Sequence, residues 1–168
     1  MKGKEGFSLI ELLIVVAIMA IVAAIAVPSM ITARMAANEA AAIQSLRTYG
    51  SAQIAFAATN NQMYGTLDQL TDAVDGGYLD NRWTGSAAFN GYVFAENQSI
   101  AGAPEAATAS APDGFGCTAT PIRPGSTGRY VYGIASDQVV RFLAVAGPGG
   151  APLCGAASCA EGDPIGKQ

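Results

Sequence analysis

The chain contains no histidine, a single tryptophan and only three cysteines, Cys117, Cys154 and Cys159. Without histidine there is no Ser/His/Asp or Cys/His arrangement, so the usual nucleophilic enzymes are excluded and no enzymatic activity is expected. Cys154 and Cys159 have four residues between them but are two ligands short of a zinc site, so neither metal nor cofactor is expected. Charge is also scarce. Asp, Glu, Lys and Arg make up 13% of the residues, against roughly 25% in ordinary domains. The formal net charge is −4, and Arg82, Arg123, Arg129 and Arg141 are scattered rather than clustered. Affinity for nucleic acid rests on neutralising phosphates, so nucleic acid is not an expected partner. Asp72, Asp75, Asp80 and Asn81 surround Gly76-Gly77 without the spacing of a twelve-residue calcium loop, and a solvated acidic loop is expected there. There is no internal repeat.

What the chain does have is concentrated at its N-terminus. After the leader MKGKEG, a run of sixteen consecutive apolar residues spans 12–27, extended upstream by Leu9 and Ile10. A bilayer core needs roughly 17–25 helical residues, so 9–27 is long enough to cross it. Each Leu, Ile or Val favours insertion by about 0.3–0.6 kcal/mol. The one charge in the run, Glu11, costs at most about 2.5–3.5 kcal/mol, and less near an interface. Insertion therefore wins. Lys2 and Lys4 orient the N-terminal side to the cytoplasm. A secretory signal peptide fits poorly with a carboxylate at the head of its apolar core. A buried core helix of a soluble protein fits poorly too, because the rest of the chain has too little to cover it on every side.

The stretch Gly6-Phe7-Ser8-Leu9-Ile10-Glu11-Leu12-Leu13 resembles the processing motif of type IV pilins and type II secretion pseudopilins. The resemblance implies cleavage after Gly6 by a membrane-embedded prepilin peptidase and N-methylation of the new terminus at Phe7. It also implies polymerisation with other copies, driven by an inner-membrane assembly platform and its ATPase. Physics makes sense of the motif. The new amine at Phe7 would lie one helical turn, about 6 Å along the axis, from Glu11. When helices pack side by side and lose solvation, a neighbour's amine against Glu11 removes the penalty of a buried lone charge, and wrong axial staggers are disfavoured. Glycine at position 6 puts no Cβ between the scissile backbone and a protease. Pro28 removes one helical hydrogen bond, and in the family a proline there accompanies a kink. Ala20 stands where many members have glycine, so melting between Ala20 and Pro28 is expected to be harder than in them.

Four segments are expected: a leader, 1–6; a transmembrane or filament-core helix, 7–30; an amphipathic helix, 31–60, forming the spine of a head; and a head, 61–168. Along the spine, Ile43, Leu46, Gly50, Ile54 and Ala57 are expected to face a sheet, with Arg34, Asn38, Glu39, Gln44 and Arg47 elsewhere on the cylinder. Asn60-Asn61 reads as a stop. Leu67, Leu70, Val74 and Leu79 suggest a short helix. Strand-like alternation follows at Tyr92-Val93-Phe94, 115–120, 129–134 and 138–145, the last two joined as a hairpin at Ala135-Ser136-Asp137. The expected fold is α+β, a long N-terminal helix packed on a small antiparallel sheet of three or four strands, as the resemblance also implies. Trp83, Tyr78 and Phe89 are expected in the core of the head. Residues 101–114 and 146–168 read as a low-complexity loop and a Gly/Pro/Ala tail.

An exported head permits one disulfide, and the three cysteines allow three pairings. Cys154 with Cys159 is favoured, leaving Cys117 as a small buried hydrophobe, whereas pilins often tie their C-terminal region to the sheet. Loss of Lys2, Lys4 and Glu5 on processing would change the formal charge from −4 to −5. Three functions are compatible with the chain. The leading one is a type IV pilus subunit, exported from the inner membrane to the cell surface for adhesion, motility or uptake. The others are a pseudopilin acting as a periplasmic piston for protein export, and a membrane-anchored binding protein that never polymerises.

Overall fold

The computed structural model describes residues 7–72, 77–84, 88–96, 114–144 and 163–164. Gly6, Val74, Asp75, Gly76, most of 101–114, and Cys154 and Cys159 lie outside the described residues. Helix α1 (Leu9–Thr59) is followed by a five-residue helix α2 (Leu67–Thr71) and a 3₁₀ turn (Asn81–Trp83). Among the described residues six strands follow: β1 (Ala88–Phe89), β2 (Tyr92–Glu96), β3 (Gly116–Pro121), β4 (Tyr130–Ala135), β5 (Arg141–Ala144) and β6 (Asp163–Pro164). They form one antiparallel sheet in sequence order. The architecture is thus α+β, with two strands more than the expected upper count. Both additional edge strands are two residues long, too short for alternation to reveal.

The chain divides into two compact units between Arg34 and Met35. In the second, α1 turns a row of residues inward: Met35, Glu39, Ala42, Leu46, Tyr49, Gln53 and Phe56 are all buried. Their spacing alternates four and three, which keeps them on one side of a helix of 3.6 residues per turn. This row departs from the expected one. Ile54 is 52% exposed and Glu39 only 7% exposed, the reverse of what was expected. The core they enter is aromatic. Tyr49 stacks near Trp83 at 5.8 Å between ring centroids, Trp83 lies 5.2 Å from Phe89 and 5.0 Å from Phe94, and Tyr64 meets Phe115 edge-on at 5.0 Å. Trp83 is 3% exposed, as expected of a core residue.

Three polar members of the buried row fasten the rest of the head to the helix. Glu39 Oε1 accepts from the Arg129 backbone N–H at 2.8 Å and Nε at 3.2 Å, and Oε2 from Nη2 at 3.1 Å. Gln53 Nε2 donates to the Gly65 carbonyl at 2.7 Å and to the Tyr49 hydroxyl at 2.8 Å, while Gly65 N–H donates back to Gln53 Oε1 at 3.0 Å. Tyr49 in turn donates to Glu96 at 3.3 Å. Each buried polar group is answered, which removes a penalty of about 1–3 kcal/mol per group.

The local signals explain the boundaries. α1 ends where Asn61 and Gln62 adopt positive φ, 52° and 63°, and Gln62 N–H bonds back to the Ala57 carbonyl. This agrees with the stop expected at Asn60-Asn61. α2 opens on a reciprocal cap, Thr66 N–H to Gln69 Oε1 at 2.9 Å and Gln69 N–H to Thr66 Oγ1 at 3.3 Å. The expected hairpin joins β4 to β5, with Tyr132 opposite Phe142, but β5 starts at Arg141 rather than 138. Gln138 has φ 61°, its side chain donates to the Gly50 carbonyl at 3.4 Å, and Val140 is buried before the strand resumes. β1 and β2 meet through Asn90 and Gly91, both at positive φ, the pairing that suits the twist of a two-residue hairpin.

Candidate functional site

The first unit has one conspicuous property: the apolar side chains among its described residues are all left open. Ser8 starts α1, its carbonyl accepting from Glu11 N–H at 3.1 Å and Leu12 N–H at 3.2 Å. Phe7, just outside the helix, is 73% exposed, and Leu9, Ile10, Leu13, Ile21 and Ile25 are between 61% and 80% exposed. Exposure continues through Val27, Met30 and Ile31. Burying one such side chain fully is worth about 1.5–3 kcal/mol, so leaving this many of them open to water is strongly unfavourable. α1 is the one helix among the described residues long and apolar enough to cross a membrane.

Three of the sequence-predicted residues lie on or beside this element. Phe7 precedes the helix, Glu11 stands exposed in its first turn, and Pro28 lies within it. A carboxylate in the first turn faces the partial positive charge of the helix N-terminus, worth about 0.3–1 kcal/mol. α1 is continuous through Pro28, helical on both sides of the missing N–H. Gly6, the residue at the predicted scissile bond, lies outside the described residues, as do Cys154 and Cys159. Cys117 is elsewhere, in β3, fully buried and a free thiol. Burial pushes that thiol well above its ordinary pKa, with the Glu96 charge adding to the effect. It has the environment of an inert core residue.

Of the four scattered arginines, three are held locally. Arg82 pairs with Asp80 at 2.6 Å, Arg129 with Glu39 at 3.1 Å and Arg141 with Asp137 at 2.6 Å. The Arg82 hydrogen bonds hold the Asp80 carboxyl below its usual range. Among the described residues no group of three or more Asp, Glu, Cys or His side chains could hold a metal ion. Sequence reasoning missed the Glu39–Arg129 pair. Its only signal was the place of Glu39 in the four–three series, which a search for apolar residues passes over.

Comparison with known proteins bears on the same end of the chain. Residues 1–27 match the family model of the prokaryotic N-terminal methylation motif. A protein of Thermus thermophilus described as the type IV wide pilus major component PilA4 is 54% identical over 39 residues. That match covers 23% of this chain and 30% of the relative, so the chain spans under a third of the length of the relative it matches. No solved structure matches.

Proposed function

We propose that this chain, whose N-terminus is that of the type IV pilins and the related secretion pseudopilins, is a structural subunit of a type IV pilus. Cleavage after Gly6 frees an amine at Phe7, which is then methylated. Before assembly, α1 up to about Met30 holds the chain in the inner membrane with the head outside the cytoplasm. During assembly the same helix leaves lipid for the company of its copies, and the apolar side chains that lipid covered are covered by neighbouring helices. The Phe7 amine of one copy meets Glu11 of another. Partners are therefore further pilin subunits, the prepilin peptidase and methylase, and the assembly platform with its ATPase; adhesion, motility or uptake is the service rendered.

The observation carrying this reading is the exposed apolar helix with a lone carboxylate in its first turn. A pseudopilin shares that feature. The pilus is preferred because the relative from Thermus is described as a pilus major component. Fibres sheared from cells and examined by electron microscopy and mass spectrometry provide the test. The expected result is this protein in micrometre-length fibres, beginning at N-methylated Phe7. A mature terminus elsewhere, or recovery from membranes alone, would overturn the proposal; short periplasmic assemblies would favour the pseudopilin.

A further inference from the structure

The head carries a surface hollow of about 200 Å³ between the flank of α1 at Ser45 and Thr48 and the segment containing Leu79, Asp80, Arg82 and Trp83, with Phe89 beside them. Drug-sized ligands occupy roughly 300–1,000 Å³, so the occupant of this space is limited to about one ring. Its chemistry is mixed. Leu79 and Trp83 are core residues that supply an apolar wall. The polar rim offers both donors and acceptors, with Tyr78 and the Arg82 guanidinium lining it beside Ser45, Thr48 and Asp80. Ser45 Oγ gives its proton to the Ala41 carbonyl at 2.8 Å, and Thr48 Oγ1 gives its own to the Gln44 carbonyl at 3.0 Å. With those protons committed, each hydroxyl oxygen offers only lone pairs to a guest.

Asp80 and Arg82 set the charge of the rim. Arg82 Nε and Nη2 donate to the Asp80 carboxylate at 2.9 and 2.6 Å, and the guanidinium lies 5.4 Å over the Phe89 ring. The two charges cancel, so the rim attracts neither anion nor cation in particular. Among the described residues Arg82 Nη1 has no acceptor, so its two N–H groups, with the second N–H of Nη2, are open to a guest oxygen. A fitting guest is therefore small, uncharged, rich in hydroxyls that can both donate and accept, and apolar on one side.

We propose that this hollow binds a single neutral pyranose, the terminal sugar of a glycan, with ring hydroxyls donating to Ser45, Thr48 and Asp80 and a ring oxygen accepting from Arg82. The site belongs to the head of an individual chain, so it stands or falls separately from polymerisation.

Trp83 is the only tryptophan in the chain, so its emission reports on the hollow directly. The full-length protein in a detergent without a sugar headgroup would be titrated with the methyl glycosides of glucose, galactose, mannose and N-acetylglucosamine, and with glucuronate. A saturable change with at least one neutral glycoside, at tenfold or more lower concentration than with glucuronate, is expected. The Ser45→Ala/Thr48→Val double variant should bind that glycoside at least tenfold more weakly. No saturable response to any glycoside, equal response to glucuronate, or undiminished binding by the double variant would overturn the proposal. If the variant fails to fold, saturation-transfer NMR on the unaltered protein decides: transfer to ring protons of one glycoside supports the site, and transfer to none refutes it.

Discussion

Glu11 is the residue on which the proposed assembly turns. Replacing it with alanine removes a charge that costs energy in lipid, so insertion and processing should be undiminished. Filament formation should fall sharply, because the Phe7 amine of a neighbour then loses its only proposed partner in an apolar bundle. Cell fractionation gives the first quantity and fibre yield the second; unchanged yield would remove the ion pair from the mechanism. The buried groups of the head make a separate prediction, about pH. Burial raises the pKa of Cys117 from 9.0, and those of Tyr49, Tyr92 and Tyr132 from 10.0. The unfolded chain gives up these protons at pH 9–10 while the folded one keeps them. The native state then binds more protons, and stability falls as pH rises through that window. Urea midpoints should be lower at pH 10.5 than at pH 8, and alkylation at pH 8.5 should label the Cys117 peptide only after unfolding. Rapid labelling of that peptide in the folded protein would contradict its burial.

At the scale of the element, the second half of α1 separates what hydropathy can read from what packing decides. The apolar pattern pointed to Ile54, whereas the buried row runs through Glu39, Tyr49 and Gln53, whose polar atoms disguise it. Leu46 is 0% exposed in that row and Ile54 is 52% exposed outside it. Leu46→Ala should cost about 2–5 kcal/mol through lost burial and the cavity left behind. Ile54→Ala should stay within about 0.5 kcal/mol of the parent. Denaturant melts of the two variants test this, and equal losses would mean the assigned face is wrong. The sheet was legible in part for related reasons. β2, β3 and β4 carry enough alternation to be seen, and the hairpin between β4 and β5 follows from its turn residues. The hairpin at Asn90-Gly91 carries a strong turn signal, but its first strand is two residues long, too short for alternation to show.

For the molecule as a whole, the division between Arg34 and Met35 makes a prediction that needs no filament. A chain lacking residues 1–30 has lost the exposed apolar side chains up to Met30 and keeps all of the aromatic core. It should be soluble without detergent and unfold in one cooperative transition, followed by gel filtration and circular dichroism in urea. Aggregation would show that the head needs neighbours to fold. The N-terminal segment was readable from the sequence alone because its character is one-dimensional: a run of apolar residues, its length and the place of one charge depend on no other part of the chain. The same holds for α1 as a helix and for its stop at Asn60-Asn61. The inward face of α1, the Glu39–Arg129 and Gln53–Gly65 fastenings and the hollow beside Trp83 were settled only by the fold. Each joins residues 12 to 90 positions apart, and whether a polar side chain is buried depends on a partner that local pattern does not reveal.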